Sequence, residues 1–369
     1  MSINFGIIGL PLSGKTTIFN ALTSGKVDTA SHSTAALAPN LGVVKVPEPR
    51  LKVLADMFHP GKIVPIEAKY LDISASVKGM AEDTKGFGGR LLNQLSAVDT
   101  IIGVVRAFKN ESVPHPEVTV NPGRDIGTLS LELAFSDLSI LERRLQRLDD
   151  SLKSAKPQDR QGYQQEKDII AQLKSELEKD KPIREIALEA TAAKIINNYQ
   201  LLTAKPYVVI VNIGEDQLEQ SPAIEKELNA IIPGKFSRVI ALCGKLEMEL
   251  AGMEETEAKE FRENFGLKES GLERAIKTSY ELSEMISFFT VGEDECRAWP
   301  IRKGTTAQKA AGKIHSDFEK GFIRAERISY GELMQCGSMA EAKKRGLLRL
   351  EGKEYIVQDG DILTFLFNV

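Results

Sequence analysis

The stretch GLPLSGKT at residues 9–16 decides the fold, because it fits the G-x-x-x-x-G-K-[ST] pattern of a phosphate-binding loop. The apolar run at residues 3–8 predicts a buried strand immediately before the loop, and residues 15–22 have a helical pattern immediately after it. The motif requires this order of strand, glycine-containing turn and helix. The sequence therefore predicts a P-loop at one end of a parallel sheet.

Each part of the loop has its own chemical task. Gly9 and Gly14 let the backbone curl so that successive N–H groups point at phosphate oxygens, and the following helix adds partial positive charge. Lys15 is expected to reach the β- and γ-phosphates and to act in catalysis, while the Thr16 hydroxyl can ligate Mg²⁺. The residues predicted to contact nucleotide in this region are Gly9, Pro11, Ser13, Gly14, Lys15, Thr16 and Thr17.

Strands and helices alternate beyond the loop. The runs that predict further strands are residues 41–46, 66–71, 100–105, 207–211 and 239–242, with a helix at residues 91–98. Repeated strand–helix units favour right-handed crossovers and a parallel sheet with helices on both faces. We therefore expect an α/β nucleotide-binding domain made of residues 1–135 and 206–282.

A helical arm is predicted between the two parts of that domain, over residues 136–205. Leucines recur with spacings of 3, 4, 3 and 4 at positions 138, 141, 145, 148 and 152, which is a coiled-coil seam. Pro157 ends the seam, a second helical stretch follows, and Pro182 predicts a third helix near residue 183. The exposed positions of the arm carry both signs of charge, which fits either a solvated coiled-coil face or a surface that binds a partner.

The pattern changes again after residue 283, where short strands, turns and one helix predict a small α+β domain. The strands are expected at residues 286–291, 347–350, 354–357 and 362–367, and the helix at residues 306–314 with Thr305 or Thr306 at its cap. Residues 297–353 contain 13 Lys and Arg against 6 Asp and Glu. This local excess of positive charge suggests RNA or an acidic partner, although an ordinary exposed surface also fits.

The composition of all 369 residues limits the class of protein. The formal net charge is −4 and the sequence pI is near 5.8, which excludes a globally basic nucleic-acid coat. Three cysteines without a CxxC pair argue against a disulfide framework or a zinc site. The first residues predict a strand rather than a signal peptide, and no apolar run is long enough to span a membrane. We therefore expect a cytoplasmic protein.

Two further segments are candidates for the metal and the base. Asp72 follows the strand predicted at residues 66–71 and is the expected carboxylate partner of Mg²⁺, although a turn or cap role is the usual one for such a residue. The sequence NIGE at residues 212–215 follows a strand at the place where GTPases have N-K-x-D. Glu215 is one methylene longer than the Asp that reads guanine, so guanine selectivity should be weakened. The alternative is that NIGE is only a turn.

Taken together, these residues resemble the YchF / Obg-like ATPase family of P-loop proteins over nearly the whole chain. The resemblance is carried by the P-loop, DISASVKG at residues 72–79, NIGE, and the stretches at residues 288–326 and 349–369. It implies that residues 283–369 form a ubiquitin-like TGS domain. It also implies binding of ATP at least as well as GTP, slow hydrolysis, and association with ribosomes or RNA through the helical arm and the TGS domain.

The resemblance identifies further site residues. His115 aligns with a histidine proposed to assist hydrolysis in the family, and Cys243 and Gly244 fall where the family places a second loop that contacts the base. A loop histidine is more often inert, and Cys243 is expected to pack or contact the base rather than act as a nucleophile. Asn212 and Glu215 complete the residues expected to contact the nucleotide.

Four positions depart from the family pattern. Leu12 replaces an Asn of the P-loop, Ala36 stands where the family has a Thr that closes on Mg²⁺, Ala75 replaces a Gly whose N–H meets the γ-phosphate, and Ser76 replaces a hydrophobic residue. No glutamine is present to orient the attacking water. Three hypotheses remain: a slow Mg²⁺-dependent NTPase that acts with the ribosome, a nucleotide-sensing RNA or ribosome adaptor with little hydrolysis, and a guanine-specific GTPase.

Overall fold

The computed structural model describes residues 3–23, 40–73, 87–267 and 269–368. The departures noted at Ala36, Ala75 and Ser76 lie outside these residues. The described strands are β1 Ile3–Gly9, β2 Asn40–Lys45, β3 Lys62–Val64, β4 Glu67–Asp72, β5 Thr100–Arg106, β6 Tyr207–Asn212, β7 Ser237–Leu242, β8 Met285–Val291, β9 Glu295–Arg302, β10 Phe322–Ser329, β11 Arg349–Glu351 and β12 Asp361–Phe367.

The described helices of the first 282 residues are α1 Lys15–Leu22, α2 Pro49–Phe58, α3 Phe87–Ser96, α4 Pro122–Ser154, α5 Pro157–Leu177, α6 Ala190–Asn197, α7 Ser221–Asn229, α8 Gly244–Leu250, α9 Glu255–Asn264 and α10 Gly271–Leu282. Those that follow are α11 Ala307–Ile314, α12 Ser316–Lys320, α13 Tyr330–Cys336 and α14 Met339–Lys344. Among the described residues, no helix is both long and apolar enough to cross a membrane.

Contacts divide the chain into two compact units. One contains residues 4–43 and 69–282, and the other contains residues 1–3, 44–68 and 283–369. The segment that follows β2 in the chain, with α2 and β3, therefore packs with the C-terminal residues.

The first sheet has the strand order β2-β4-β1-β5-β6-β7. The pairs β1/β5, β5/β6 and β6/β7 are parallel, as predicted. Strands β5 and β6 are buried at every position, which fits their continuous apolar sequences and the covering of both sheet faces by helices. Because these strands run the same way, their carboxyl ends and the loops that follow them meet at one edge, where ligands bind in open α/β sheets.

The helical arm consists mainly of α4 and α5. Leu141 and Leu148 of α4 are fully buried and lie in one cluster with Ile170, Leu173 and Leu177 of α5. The leucine spacing therefore identified the packed seam correctly. The third helix expected near residue 183 was wrong, because only a single 3₁₀ turn, Ile183–Glu185, follows Pro182 and α6 begins at Ala190.

The second sheet has the order β11-β10-β12-β8-β9-β3 and is mixed. Its core is formed by aromatic and small residues, among them Phe288, Phe365 and the three alanines of α11. Helix α11 begins after Thr306, although the Thr306 side chain makes no cap bond. The strand expected at residues 354–357 was wrong, because only an isolated bridge between Thr306 and Ile356 forms there.

Candidate nucleotide-binding site

The P-loop connects the end of β1 to the start of α1, and its glycines are required by close packing. Gly14 has φ +85°, and a Cβ at this position would overlap the Asn212 Nδ2 atom. A Cβ at Gly9 would lie 2.8 Å from both Ser13 Oγ and the Val104 carbonyl oxygen. Since neither space admits a side chain, the two glycines keep the loop against β5 and β6.

Leu12 is the residue of this loop whose conformation does not suit its side chain. It has φ +61°, in the left-handed region, and is 52% exposed. A leucine in this conformation costs about 1–2 kcal/mol relative to its preferred regions, whereas Asn adopts it more readily. Leucine rather than Asn at position 12 therefore places strain in the phosphate-binding loop.

Lys15 projects from the first turn of α1 to the end of β4. Its Nζ donates to Asp72 Oδ1 at 2.8 Å and to the Ile73 carbonyl oxygen at 2.7 Å. The Lys15 side chain is 13% exposed and that of Asp72 is 1% exposed. The pair thus links the two residues that the sequence assigned to phosphate and metal binding.

The oxygen donors around this pair suit a hard divalent cation. Thr16 is exposed at the start of α1, and Ser13 Oγ is buried without a partner among the described residues. Within those residues no group of three or more His, Cys, Asp or Glu side chains could hold a metal alone. One hydroxyl and one carboxylate fit Mg²⁺, which takes most of its remaining ligands from phosphate and water.

Asn212 fastens the P-loop to the loops that follow β6 and β7. Its Nδ2 donates to the Ser13 carbonyl oxygen at 3.2 Å, and its Oδ1 accepts from the Gly244 N–H at 3.0 Å. The residue is 5% exposed. Three segments that the sequence assigned to one site are therefore held together by one buried amide.

Glu215 and Lys245 lie at the outer end of these loops. Lys245 Nζ donates to Glu215 Oε1 at 2.9 Å, and this bond raises the pKa of Lys245. Cys243, beside them in sequence, is buried, and burial raises the pKa of its thiol. A thiol in this state packs rather than reacts, as the sequence indicated.

His115 lies in the loop between β5 and α4, and both of its ring nitrogens are engaged. Nδ1 accepts from the Glu117 N–H at 3.1 Å, so Nε2 carries the proton and lies 3.0 Å from Asp125 Oδ2. Arg124 donates to the other oxygen of Asp125 from two nitrogens. In this arrangement His115 orders its loop and has no ring nitrogen available to accept a proton from water.

Sequence reasoning missed Arg106, which ends β5. It is 2% exposed, its guanidinium lies over the Phe108 ring at 4.3 Å, and Nε donates to the Phe108 carbonyl oxygen. Phe108 in turn lies near the position that a Cβ on Gly14 would take. An Arg at the end of a fully apolar strand was the available signal, because a buried cation needs local acceptors.

Comparison with known proteins finds relatives over the full length of the chain. A family model described as a 50S ribosome-binding GTPase matches residues 4–121, and the YchF-GTPase C-terminal model, described as a protein of unknown function, matches residues 285–368. The chain is 40% identical to the ribosome-binding ATPase YchF of Bacillus subtilis and 38% identical to that of Escherichia coli O157:H7, with all of each chain covered.

A solved structure gives the same result. The chain is 33% identical to the Schizosaccharomyces pombe YchF GTPase, with a TM-score of 0.84, and the match covers 99% of this chain and 98% of that one. Identity at this level over the full length assigns the chain to a family. The chain belongs to the YchF family.

Proposed function

We propose that the protein binds ATP, accepts GTP as well, and hydrolyses the bound nucleotide slowly with Mg²⁺ while associated with the ribosome. The observation that carries the proposal is the P-loop held by Asn212, with Lys15 directed to the end of β4. This arrangement presents backbone N–H groups, a helix N-terminus and an ammonium group to one point, as a triphosphate requires. The curated relatives named ribosome-binding ATPases support the same activity.

The residues of the chain have separate tasks in this mechanism. The N–H groups around Gly14 bind the phosphates, and Lys15 leaves Asp72 to neutralise charge on the β- and γ-phosphates. Thr16 and Asp72 would hold Mg²⁺, which supplies further neutralisation of the phosphate oxygens when it is bound. Because residues 72–79 contain no glutamine and His115 is engaged by Glu117 and Asp125, water is poorly oriented and hydrolysis is slow.

The partner is proposed to be the ribosome or structured RNA, bound through the helical arm and the basic C-terminal TGS domain. Two observations support this: the relatives are named ribosome-binding ATPases, and residues 297–353 contain an excess of Lys and Arg. A ribosome partner also requires a cytoplasmic location, which we include in the proposal.

Steady-state phosphate release tests the activity. ATP hydrolysis by the purified chain should depend on Mg²⁺ and fall to background in Lys15→Ala and Thr16→Ala. Lys259→Ala removes an exposed lysine of α9 and should leave the rate unchanged. Equal rates in all four proteins would contradict the proposal.

A second candidate is a nucleotide-sensing adaptor with little hydrolysis. The engaged ring nitrogens of His115 favour it, because they leave the site without an evident base. Cosedimentation with ribosomes in the apo, ADP and ATP states separates the candidates. Nucleotide-dependent sedimentation without turnover supports the adaptor, while sedimentation that is equal in all three states excludes nucleotide sensing.

The base preference is a separate question, because the bacterial relatives are named ATPases and the Schizosaccharomyces pombe protein is named a GTPase. Direct titration with ATP and GTP decides it. A GTP affinity at least tenfold higher, about 1.4 kcal/mol, would favour a guanine-specific GTPase.

A further inference from the structure

The ion pair between Glu215 and Lys245 lies where a base would be recognised. Glu215 is three residues after Asn212, and Lys245 follows Gly244, whose N–H is bonded to Asn212. The two charged residues are therefore carried by the two loops that the buried amide joins to the P-loop. A purine bound by this P-loop would have its polar edge directed to these loops.

The pair is exposed to solvent and does not hold the fold together. The side chains of Lys245 and Glu215 are 68% and 46% exposed, and the 2.9 Å bond uses only Oε1 of the carboxylate. Exposed ion pairs contribute little to stability. Both groups are thus accessible to a ligand while they are bonded to each other. Lys245 Nζ also lies 3.9 Å from Glu249 Oε1, so the ammonium has a carboxylate on each side.

The two purines place different demands on such a pair. Guanine presents two donors, N1–H and N2–H, which together fit the two oxygens of an unpaired carboxylate. Adenine presents an amino donor at N6 beside an acceptor at N1. A carboxylate with one oxygen bonded to an ammonium group offers one acceptor and one donor side by side, which matches the adenine edge and occupies one of the oxygens that guanine needs.

We propose that Lys245 is a base-selectivity residue: by occupying Glu215 it lowers the affinity for guanine and presents a donor to adenine N1. This inference rests on the proposed nucleotide binding and deepens it. It assigns the adenine preference to a pair of residues rather than to the extra methylene of Glu215 alone. Removing Lys245 should therefore release the carboxylate for guanine and remove a contact from adenine.

The experiment measures dissociation constants of ATP, GTP and ITP for the full-length protein and for Lys245→Ala, by titration with Mg²⁺. ITP keeps the N1–H donor and lacks the 2-amino group. The change in ITP affinity caused by Lys245→Ala should therefore lie between the changes for ATP and GTP. In Lys245→Ala, the ratio of the GTP dissociation constant to the ATP dissociation constant should fall by threefold or more. A smaller fall in this ratio, or a rise, would overturn the inference.

Two further variants separate this role from a general effect on the loops. In a Glu215→Ala background, adding Lys245→Ala should leave the GTP dissociation constant unchanged, because the carboxylate that Lys245 occupies is gone, and should still weaken ATP binding, because the donor to adenine N1 is lost. A gain in GTP affinity that persists there overturns the inference. Lys259→Ala removes a lysine that lies 4.0 Å from Glu263 and should keep the wild-type ratio. Absence of any nucleotide binding by the wild-type protein would instead refute the proposed function, and this inference with it.

Discussion

Lys15 Nζ and Asp72 Oδ1 lie 2.8 Å apart, and the Asp72 side chain is only 1% exposed. The ammonium proposed to bind phosphate therefore lies next to the carboxylate proposed to bind the metal. The two opposite charges compensate each other in this buried place. Removing the Lys15 ammonium leaves the buried Asp72 carboxylate without a partner. This loss costs far more free energy than the ion pair contributes to stability.

Lys15→Met should lower the free energy of unfolding by about 3 kcal/mol in the absence of nucleotide. Adding Asp72→Asn to that variant should restore part of the loss, because the unpaired charge is gone. Urea denaturation of the wild type, both single variants and the double variant gives the coupling free energy of the pair. Additive effects, within about 0.5 kcal/mol, would mean that the two side chains do not interact in solution.

Gly14→Ala should abolish nucleotide binding without a general loss of folding. Its Cβ would overlap Asn212 Nδ2, and its φ of +85° adds about 1–2 kcal/mol of strain. We expect at least a hundredfold loss of ATP affinity in a titration. Gly162→Ala is the matched control, since nothing lies within 4 Å of that position in α5 and alanine should stabilise the helix by about 0.5–1 kcal/mol. Affinity of Gly14→Ala within threefold of wild type would contradict the geometry.

Local signals in the sequence predicted β1, the P-loop and α1 closely, because strand hydrophobicity, glycine positions and helical periodicity act over a few residues. The same holds for the leucine seam of α4. Contacts between distant segments could not be predicted in this way. The bond between Glu215 and Lys245 joins residues 30 positions apart, and the engagement of His115 by Asp125 depends on how the loop after β5 folds back on α4.

The strand predicted at residues 354–357 failed for a related reason. Tyr355, Ile356 and Val357 are residue types that favour strands, but a strand also needs a partner along its length. The Asp361 carboxylate accepts from the Gln358 N–H and the Tyr355 hydroxyl, which holds this segment in a turn before β12. Pattern alone did not reveal that competing set of bonds.

Leu12→Asn should raise the free energy of unfolding by about 0.5–1 kcal/mol. The side chain is 52% exposed, so little buried surface is lost, while Asn tolerates the φ of +61° better than leucine. Leu131→Asn is the control, because Leu131 is 46% exposed in the regular helix α4 and Asn there should lower stability by a few tenths of a kcal/mol. Chemical denaturation of both variants measures the difference. Equal losses in the two would show that Leu12 is not strained.

Neutralising Arg302, Lys303 and Lys309 to Gln should weaken RNA binding and leave nucleotide affinity intact. All three residues are exposed, so the fold should tolerate the changes. Each phosphate contact removed lowers the slope of log affinity against log salt by about 1. The test measures the affinity for ribosomal RNA over a range of salt concentrations. In the triple variant, the slope of log affinity against log salt should be smaller in magnitude by up to about 3.

An equal change of charge elsewhere is the control for that prediction. Lys226, Lys235 and Lys259 are exposed on the other compact unit, and the triple Gln variant there should keep the wild-type slope. Equal losses in the two triple variants would mean that net charge rather than the basic C-terminal surface determines RNA binding.

Glu166 should make the stability of the helical arm depend on pH. It accepts from Arg144 Nε and Nη2, at 2.8 Å each, and from the Tyr199 hydroxyl, so it joins α5 to α4 and to the residues after α6. The bond to Arg144 holds the Glu166 pKa below its usual value. A carboxylate whose pKa is lowered on folding contributes stability above its unfolded pKa and loses that contribution as the pH falls through the folded pKa.

Glu166→Gln should therefore lower the free energy of unfolding by about 1–2 kcal/mol at pH 7, where charge-assisted bonds are lost. The difference between wild type and variant should shrink as the pH falls from about 5 toward 3, because the wild-type carboxylate becomes protonated too. Glu178→Gln is the control, since the Glu178 side chain is 51% exposed and the change removes only its ion pair with Lys174. Denaturant titrations at pH 7, 5 and 3 measure the three proteins. A difference for Glu166→Gln that is constant with pH would show that its charge does not stabilise the arm.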